Sequence, residues 1–296
     1  MGYLLRTRFF RKSVANYATM TTRASLNGES IKSISLKFPT IHIQEEIGKT
    51  LYSLEKKITL LQNQNQTLEE LAQTLFKRWF VDFEFPDDNE NPYKSSGGNM
   101  VESEFGEIPD GWSVGCIYEV LEIKYGFPFK SALFNENSEG MPLIRIRDLK
   151  KGHTGFFTTE RYDEEYVISR GDVLAGMDAE FRPCLWTGHN GLLNQRVGKI
   201  IGRYGFNELF VLEFMKPHLN FFEKTKGGTT VIHLGKGDLD SIETVIPAKE
   251  IITKFSSLVS PIHRKLVDNF SEINSLKPVR DTLLPKLMSG QSELNA

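Results

Sequence analysis

One segment of this chain occurs twice, without a gap, at an offset of 208 positions: residues 21–80 lie over residues 229–288. Pro39 then meets Pro247, Thr21-Thr22 meets Thr229-Thr230, Leu26 meets Leu234, and Ser33-Ile34 meets Ser241-Ile242. Leu68 meets Leu276, and Thr74-Leu75 meets Thr282-Leu283. Identity is thin, but the copies share one rhythm: a strand-like stretch, a proline, then a long heptad. A repeat of this kind sets the architecture before any motif is considered.

In the first copy the apolar seam runs Ile47, Leu51, Leu54, Ile58, Leu61, Asn65, Leu68, Ala72, Leu75, Trp79. In the second it runs Phe255, Val259, Ile262, Leu266, Asn269, Ile273, Leu276, Arg280, Leu283, Leu287. Steps of four and three alternate, which is the a/d seam of a coiled coil. Each seam holds one asparagine. If the helices pair antiparallel with Asn65 opposite Asn269, paired numbers sum to 334 and every seam residue meets a seam residue. Two facing buried amides satisfy each other and fix the register. Arg280 opposite Leu54 is the poor layer, and Pro278 is expected to kink or end the second helix.

The expected fold is α+β: one globular domain plus two long helices packed as an antiparallel coiled coil. Residues 1–26 read as the remnant of a first globular domain. Residues 27–83 read as a strand over 31–38, where apolar and polar residues alternate, then the first long helix from about Gln44 to Phe80. The Pro-, Gly-, Ser- and acid-rich stretch 84–107 reads as a solvated linker. Residues 108–246 form the complete domain, 247–290 the second helix and 291–296 a tail.

Composition narrows function mainly by exclusion. The net charge of −2 gives no bulk signature of a nucleic-acid binder, although local basic patches are compatible with it. The two cysteines, Cys116 and Cys184, fit no metal or redox spacing and read as free thiols in a reducing cytoplasm. No apolar run reaches the ~18 residues of a membrane span. Asn91-Pro92-Tyr93 lacks one proline of the adenine-methyltransferase motif and sits in a polar stretch, so a turn is favoured. Gly235-Lys236-Gly237 is too short for a phosphate loop, and the six histidines have no metal-ligand spacing. No catalytic residue, metal site or cofactor is expected.

Four stretches then fall in order along the chain. They are T-L-F-K-R-W-F-V-D-F at 74–83, N-P-Y-K-S-S-G-G at 91–98 leading into G-E-I-P-D-G-W at 106–112, G-M-D-A-E-F-R at 176–182 followed by L-N-Q-R-V at 193–197, and T-L-L-P-K-L-M-S-G at 282–290. Joined to the heptad repeat, they resemble the specificity subunit of type I restriction–modification systems. The family pattern alternates two target recognition domains with two helices; here only 108–246 is complete, so a truncated or half-length form is expected.

The resemblance implies a non-catalytic, cytoplasmic subunit that reads double-stranded DNA. It implies docking of adenine-methyltransferase (modification) subunits and, through the complex, of a motor–nuclease subunit. S-adenosylmethionine and ATP would be held only by those partners, and a second copy of the chain is a further candidate partner. Phosphate contacts give affinity and base-edge contacts give specificity. Lys124, Lys130, Lys224, Lys226 and Thr229 are candidates for the first, with Lys150 and Lys151; Arg145, Arg147, Arg182, Asn194, Gln195 and Arg196 are candidates for the second. Asn194-Gln195 could equally satisfy backbone groups in a turn. Phe76, Trp79, Phe80, Phe83, Leu284 and Leu287 suit a partner interface, and the aromatics equally suit packing on the chain's own domain. Three rivals stand beside this reading: a stand-alone nuclease or methyltransferase, which the missing motifs argue against, a stand-alone coiled-coil interaction protein, and a non-functional truncated subunit.

Overall fold

The computed structural model describes residues 5, 8–17, 19–20, 24–25, 28–34, 40–178, 181–225 and 234–289. It divides into two compact units, Met1–Gln64 with Glu272–Ala296, and Asn65–Ser271.

In the first unit, helix Arg8–Tyr17 precedes an antiparallel ribbon of β1 (Thr19–Met20) and β2 (Ala24–Ser25). The 208-residue offset recurs element by element: helix Gly28–Lys32 lies over helix Lys236–Asp240, and the long helices begin at Ile41 and Lys249. The closing turn repeats too, the Ile34 amide donating to Ile31 O and the Ile242 amide to Leu239 O, both at 3.2 Å. The strand expected over 31–38 is therefore corrected at its start. Ile31 and Lys32 are helical, and Glu29 and Lys32 sit at the ends where the helix dipole favours their charges. Residues 35–39 lie outside the described residues. Ile58, Leu61 and Ile273 pack together with Leu276, and Lys57 pairs with Glu272 at 3.1 Å.

In the second unit the seam continues. Leu68, Ala72 and Leu75 share one core with Val259, Ile262 and Leu266, and Trp79 meets Phe255 edge-on at 5.5 Å. Helix Ile41–Phe76 ends in a π-helical turn, Lys77–Val81, closed by the Asp82 amide on Lys77 O at 2.9 Å. The second long helix, Lys249–Ser289, starts just after Pro247 and carries Glu250 in its first turn. Pro278 does not end it: the helix runs on to Ser289, and the proline lies on an exposed face.

Residues 84–107, expected as a solvated linker, are folded. Pro86 bridges Pro92, and β3 (Met100–Ser103) pairs with β4 (Gly106–Pro109) as a hairpin. Phe85 is buried and stacks on both Tyr93 (4.5 Å) and Trp112 (5.5 Å). Gly98 lets that tyrosine in, since a Cβ there would lie 2.5 Å from its ring. The polar residues that mark a linker by composition line the outside of an aromatic stack.

The remaining strands are β5 (Ser113–Cys116), β6 (Leu121–Tyr125), β7 (Phe134–Asn135), β8 (Met141–Ile144), β9 (Phe157–Thr158) and β10 (Val167–Ile168), then β11 (Val173–Gly176), β12 (Cys184–Leu185), β13 (Gly191–Leu193), β14 (Val197–Gly202) and β15 (Glu243–Ile246). They form a five-stranded sheet ordered β10-β13-β8-β9-β7, a four-stranded sheet ordered β12-β11-β14-β6, and the ribbon β15-β5. Successive side chains on a strand face opposite ways. Ile144 and Leu193 therefore join Leu174, Trp186 and Val197 in one cluster, while Leu143 and Leu192 pack with Phe129, Phe127 and Tyr166 in another. Helix Glu208–Thr225 contributes Leu209, Phe210, Phe214 and Met215 to the main core.

Candidate nucleic-acid interface

Three backbone segments run side by side in the second unit. The Phe127 amide donates to Leu193 O at 2.9 Å, the Gln195 amide to Phe127 O at 3.0 Å, and the Asn194 amide to Ile144 O at 3.2 Å. The parallel pairing of β13 with β8 sets this up, because Leu193 lies opposite Ile144 and the chain leaves both strands on the same side. Gly126 is the enabling residue. A Cβ there would sit 2.1 Å from Asn194 O, so only glycine admits the approach. The segments bring Arg145, Asn194, Gln195 and Arg196 together.

A second set of contacts adds the loop after β11. The Met177 amide donates to Arg196 O at 2.9 Å, and the Leu234 amide to Met177 O at 2.8 Å. Arg196 Nη1 lies 2.9 Å from Asp178 Oδ2. Arg182 donates from Nε to both Glu223 carboxylate oxygens at 3.2 Å and from Nη2 to Oε1 at 2.9 Å. Exposed Lys224 is the next residue on that helix. Arg196 thus pairs with Asp178 beside Asn194 and Gln195, and Arg182 and Lys224 form a second exposed basic group around Glu223. Lys226 and Thr229 lie outside the described residues.

Other sites fall differently. Arg145 is committed inward: Nε donates to Asp148 Oδ2 at 3.0 Å, and the guanidinium lies 3.6 Å over the Phe156 ring. Asp148 is buried, so this arginine neutralises a carboxylate and is corrected from a base-reading candidate to a structural residue. Arg147, Lys150 and Lys151, on and after the short helix Ile146–Leu149, are exposed. Lys124 on β6 stands opposite Lys199 of β14, and Lys199 pairs with Asp172 at 2.7 Å. Lys130 is exposed, and its backbone amide donates to Glu160 at 2.7 Å.

The aromatics considered for a partner interface pack internally. Phe80 lies 5.2 Å from Phe210, 5.0 Å from Phe255 and 6.0 Å from Trp112; Phe76 meets Phe210 and Phe255, and Phe83 meets Trp112 at 5.5 Å. Trp79 is buried. Of the two uses open to these rings, the structure shows packing on the chain's own domain. The side chains of Leu284 and Leu287 lie outside the described residues. Asn269 Nδ2 donates to Asn65 Oδ1 at 2.7 Å.

Sequence reasoning passed over Asp148, Asp178 and Glu223. Asp148 and Arg145 are three residues apart, a local signal that was available; Glu223 lies 41 positions from Arg182, and nothing local links them. Among the described residues no cluster of acids, histidines and cysteines has the arrangement of a metal site, and no helix is long and apolar enough to cross a membrane.

A two-sheet fold that carries an Asn–Gln–Arg turn, with long helices joined through a facing asparagine pair, agrees with the sequence comparisons. Residues 3–70 and 109–271 match the family described as type I restriction modification DNA specificity domain. The chain belongs to that specificity family. It is 28% identical over 307 residues to the type I restriction enzyme MjaIX specificity subunit of Methanocaldococcus jannaschii, covering 98% of this chain and 68% of the relative. It is 29% identical over 209 residues to the EcoBI specificity subunit of Escherichia coli, covering 67% of this chain and 44% of that one. The fold resembles the crystal structure of a type I restriction-modification S subunit from M. genitalium, with a TM-score of 0.55 at 14% identity over 94% of this chain and 69% of that one. The chain spans about two thirds of the MjaIX relative and under half of the EcoBI one. Within the specificity family, the match covers the two-sheet domain and reaches into both long helices.

Proposed function

We propose that this chain is the non-catalytic DNA-reading subunit of a type I restriction–modification complex, binding one half-site of double-stranded DNA through residues 108–246. The observation that carries the reading is the Asn194-Gln195-Arg196 turn, held by three backbone segments of the two-sheet domain, with exposed Arg182 and Lys224 on the same unit. Asn and Gln match the adenine N6/N7 edge and arginine matches guanine O6/N7. The paired long helices dock cytoplasmic modification subunits, which supply S-adenosylmethionine and methylate adenine; a motor–nuclease subunit using ATP completes the complex. A second copy of the chain reads the second half-site.

The test pairs the full chain with the modification subunit of its own system and maps adenine methylation across the host genome, with and without the intact gene. A bipartite methylated sequence that disappears with the gene is the expected result. Two results together would overturn the reading: no gene-dependent methylation, and duplex binding that does not weaken with salt.

A further inference from the structure

The geometry points to Asp178 and Glu223 as positioning residues that aim Arg196 and Arg182 at DNA, an inference that rests on the DNA-reading function proposed above. The two ion pairs share an asymmetry. The Arg196 and Arg182 side chains are 61% and 74% exposed, whereas their partners Asp178 and Glu223 are 10% and 25% exposed. Each pair has a shielded anion at its base and a guanidinium turned outward.

The anions are well rooted. Asp178 follows Met177, whose amide and carbonyl are both engaged, with Arg196 O at 2.9 Å and the Leu234 amide at 2.8 Å. Gly198 leaves room for the Met177 side chain, since a Cβ there would lie 2.2 Å from Met177 Cε. Glu223 is fixed in the last turn of helix Glu208–Thr225 and takes both Nε and Nη2 of Arg182, which sets the plane of the guanidinium. A long exposed arginine otherwise samples many rotamers, and ordering it on binding weakens recognition. Exposed pairs of this kind add little to stability. A carboxylate beside phosphates also opposes non-specific binding. Both costs are reasonable if the pairs fix which way each arginine points.

That reasoning gives a signature that a structural role lacks. Duplexes are first selected from a random-sequence pool by the wild-type full-length chain, then affinity is measured by fluorescence anisotropy for a selected duplex and a scrambled one of equal length. Asp178→Asn and Glu223→Gln are expected to lower the selected-to-scrambled preference roughly tenfold each, the scale of one two-armed base contact. Scrambled-duplex affinity should stay level or rise, and the melting temperature should hold for Glu223→Gln, the more exposed site. Variants that keep the wild-type preference, or that lose both affinities in step with melting temperature, overturn the inference.

Arg182→Ala and Arg196→Ala separate the two levels. If they lose preference while the carboxylate variants keep it, the arginines read DNA without positioning by the acids, and only this inference falls. If they keep full preference, the arginines are not readers and the inference also falls. A wild-type chain that enriches no sequence overturns the DNA reading itself.

Discussion

Asn269 donates from Nδ2 to Asn65 Oδ1 at 2.7 Å, with both side chains buried among apolar neighbours of the paired helices. Leu68 shares a core with Leu266, the next seam residues after this pair. Any slip along the helices would set each amide against leucine or isoleucine. Replacing one asparagine by leucine leaves the other buried and unsatisfied, at a cost of about 1–3 kcal/mol. Asn65→Leu and Asn269→Leu are each expected to destabilise by that amount, and the double variant by less than their sum. Chemical denaturation of the four proteins measures the coupling; strictly additive losses would sink the pairing.

The register was legible in the sequence because a coiled-coil seam is a one-dimensional pattern, and a polar residue in each copy leaves one antiparallel alignment that pairs the two. The 208-residue offset was legible for the same reason, down to the matched starts at Ile41 and Lys249. What sequence could not show depends on distant contacts. Phe85, Tyr93 and Trp112 stack to fold a stretch that looked like linker, and Arg145 is held inward by Asp148 and Phe156. In the candidate interface, Asn194-Gln195-Arg196 stood out by residue type, but the carboxylates paired with the arginines did not.

Trp79 separates an internal role from a docking role. It is buried and meets Phe255 edge-on at 5.5 Å. Trp79→Ala should cost about 3–5 kcal/mol of stability, the usual range for emptying a large aromatic site. Calorimetry should show a lowered melting temperature in the isolated chain. Unchanged stability together with lost partner binding would move Trp79 to an interface.

Gly126 is the tightest backbone contact in the candidate interface, with a Cβ position 2.1 Å from Asn194 O and 2.6 Å from Leu193 O. Both atoms are backbone, so no side chain can swing aside. Gly126→Ala should displace the Asn194-Gln195 turn and destabilise by about 1–3 kcal/mol or more. On the proposed DNA-reading function, sequence preference should fall further than scrambled-duplex affinity, because the turn would carry base-edge groups while phosphate contacts would lie elsewhere too.

Cys184 supplies a pH signature. Burial, and after it the charge of Glu69, pushes its thiol up to about 11. The unfolded thiol ionises near 8.5, so between the two values the folded state holds a proton that the unfolded state has released. Stability therefore falls as pH rises through that window and levels off above it; Cys184→Ser should flatten that part of the curve. Iodoacetamide labelling followed by mass spectrometry should find Cys184 far slower than a model thiol at pH 8. Labelling at the model rate would refute the shift.

Arg145 and Arg147 stand two positions apart and should part cleanly. Arg145 satisfies buried Asp148 through Nε at 3.0 Å while its plane lies 3.6 Å from the centre of the Phe156 ring. Lysine keeps the charge but has neither the planar face nor the fixed donors, so Arg145→Lys should destabilise measurably. Arg145→Ala should cost more, about 3–5 kcal/mol, because it leaves a buried carboxylate without its cation. Arg147 is exposed, so Arg147→Ala should change stability by no more than about 0.5 kcal/mol. If Arg147 meets a phosphate, its loss should weaken selected and scrambled duplexes alike and reduce the salt slope by about one. If it reads a base, only the selected duplex should weaken. Equal stability losses at the two positions would show that the inward hold on Arg145 contributes nothing particular to the fold.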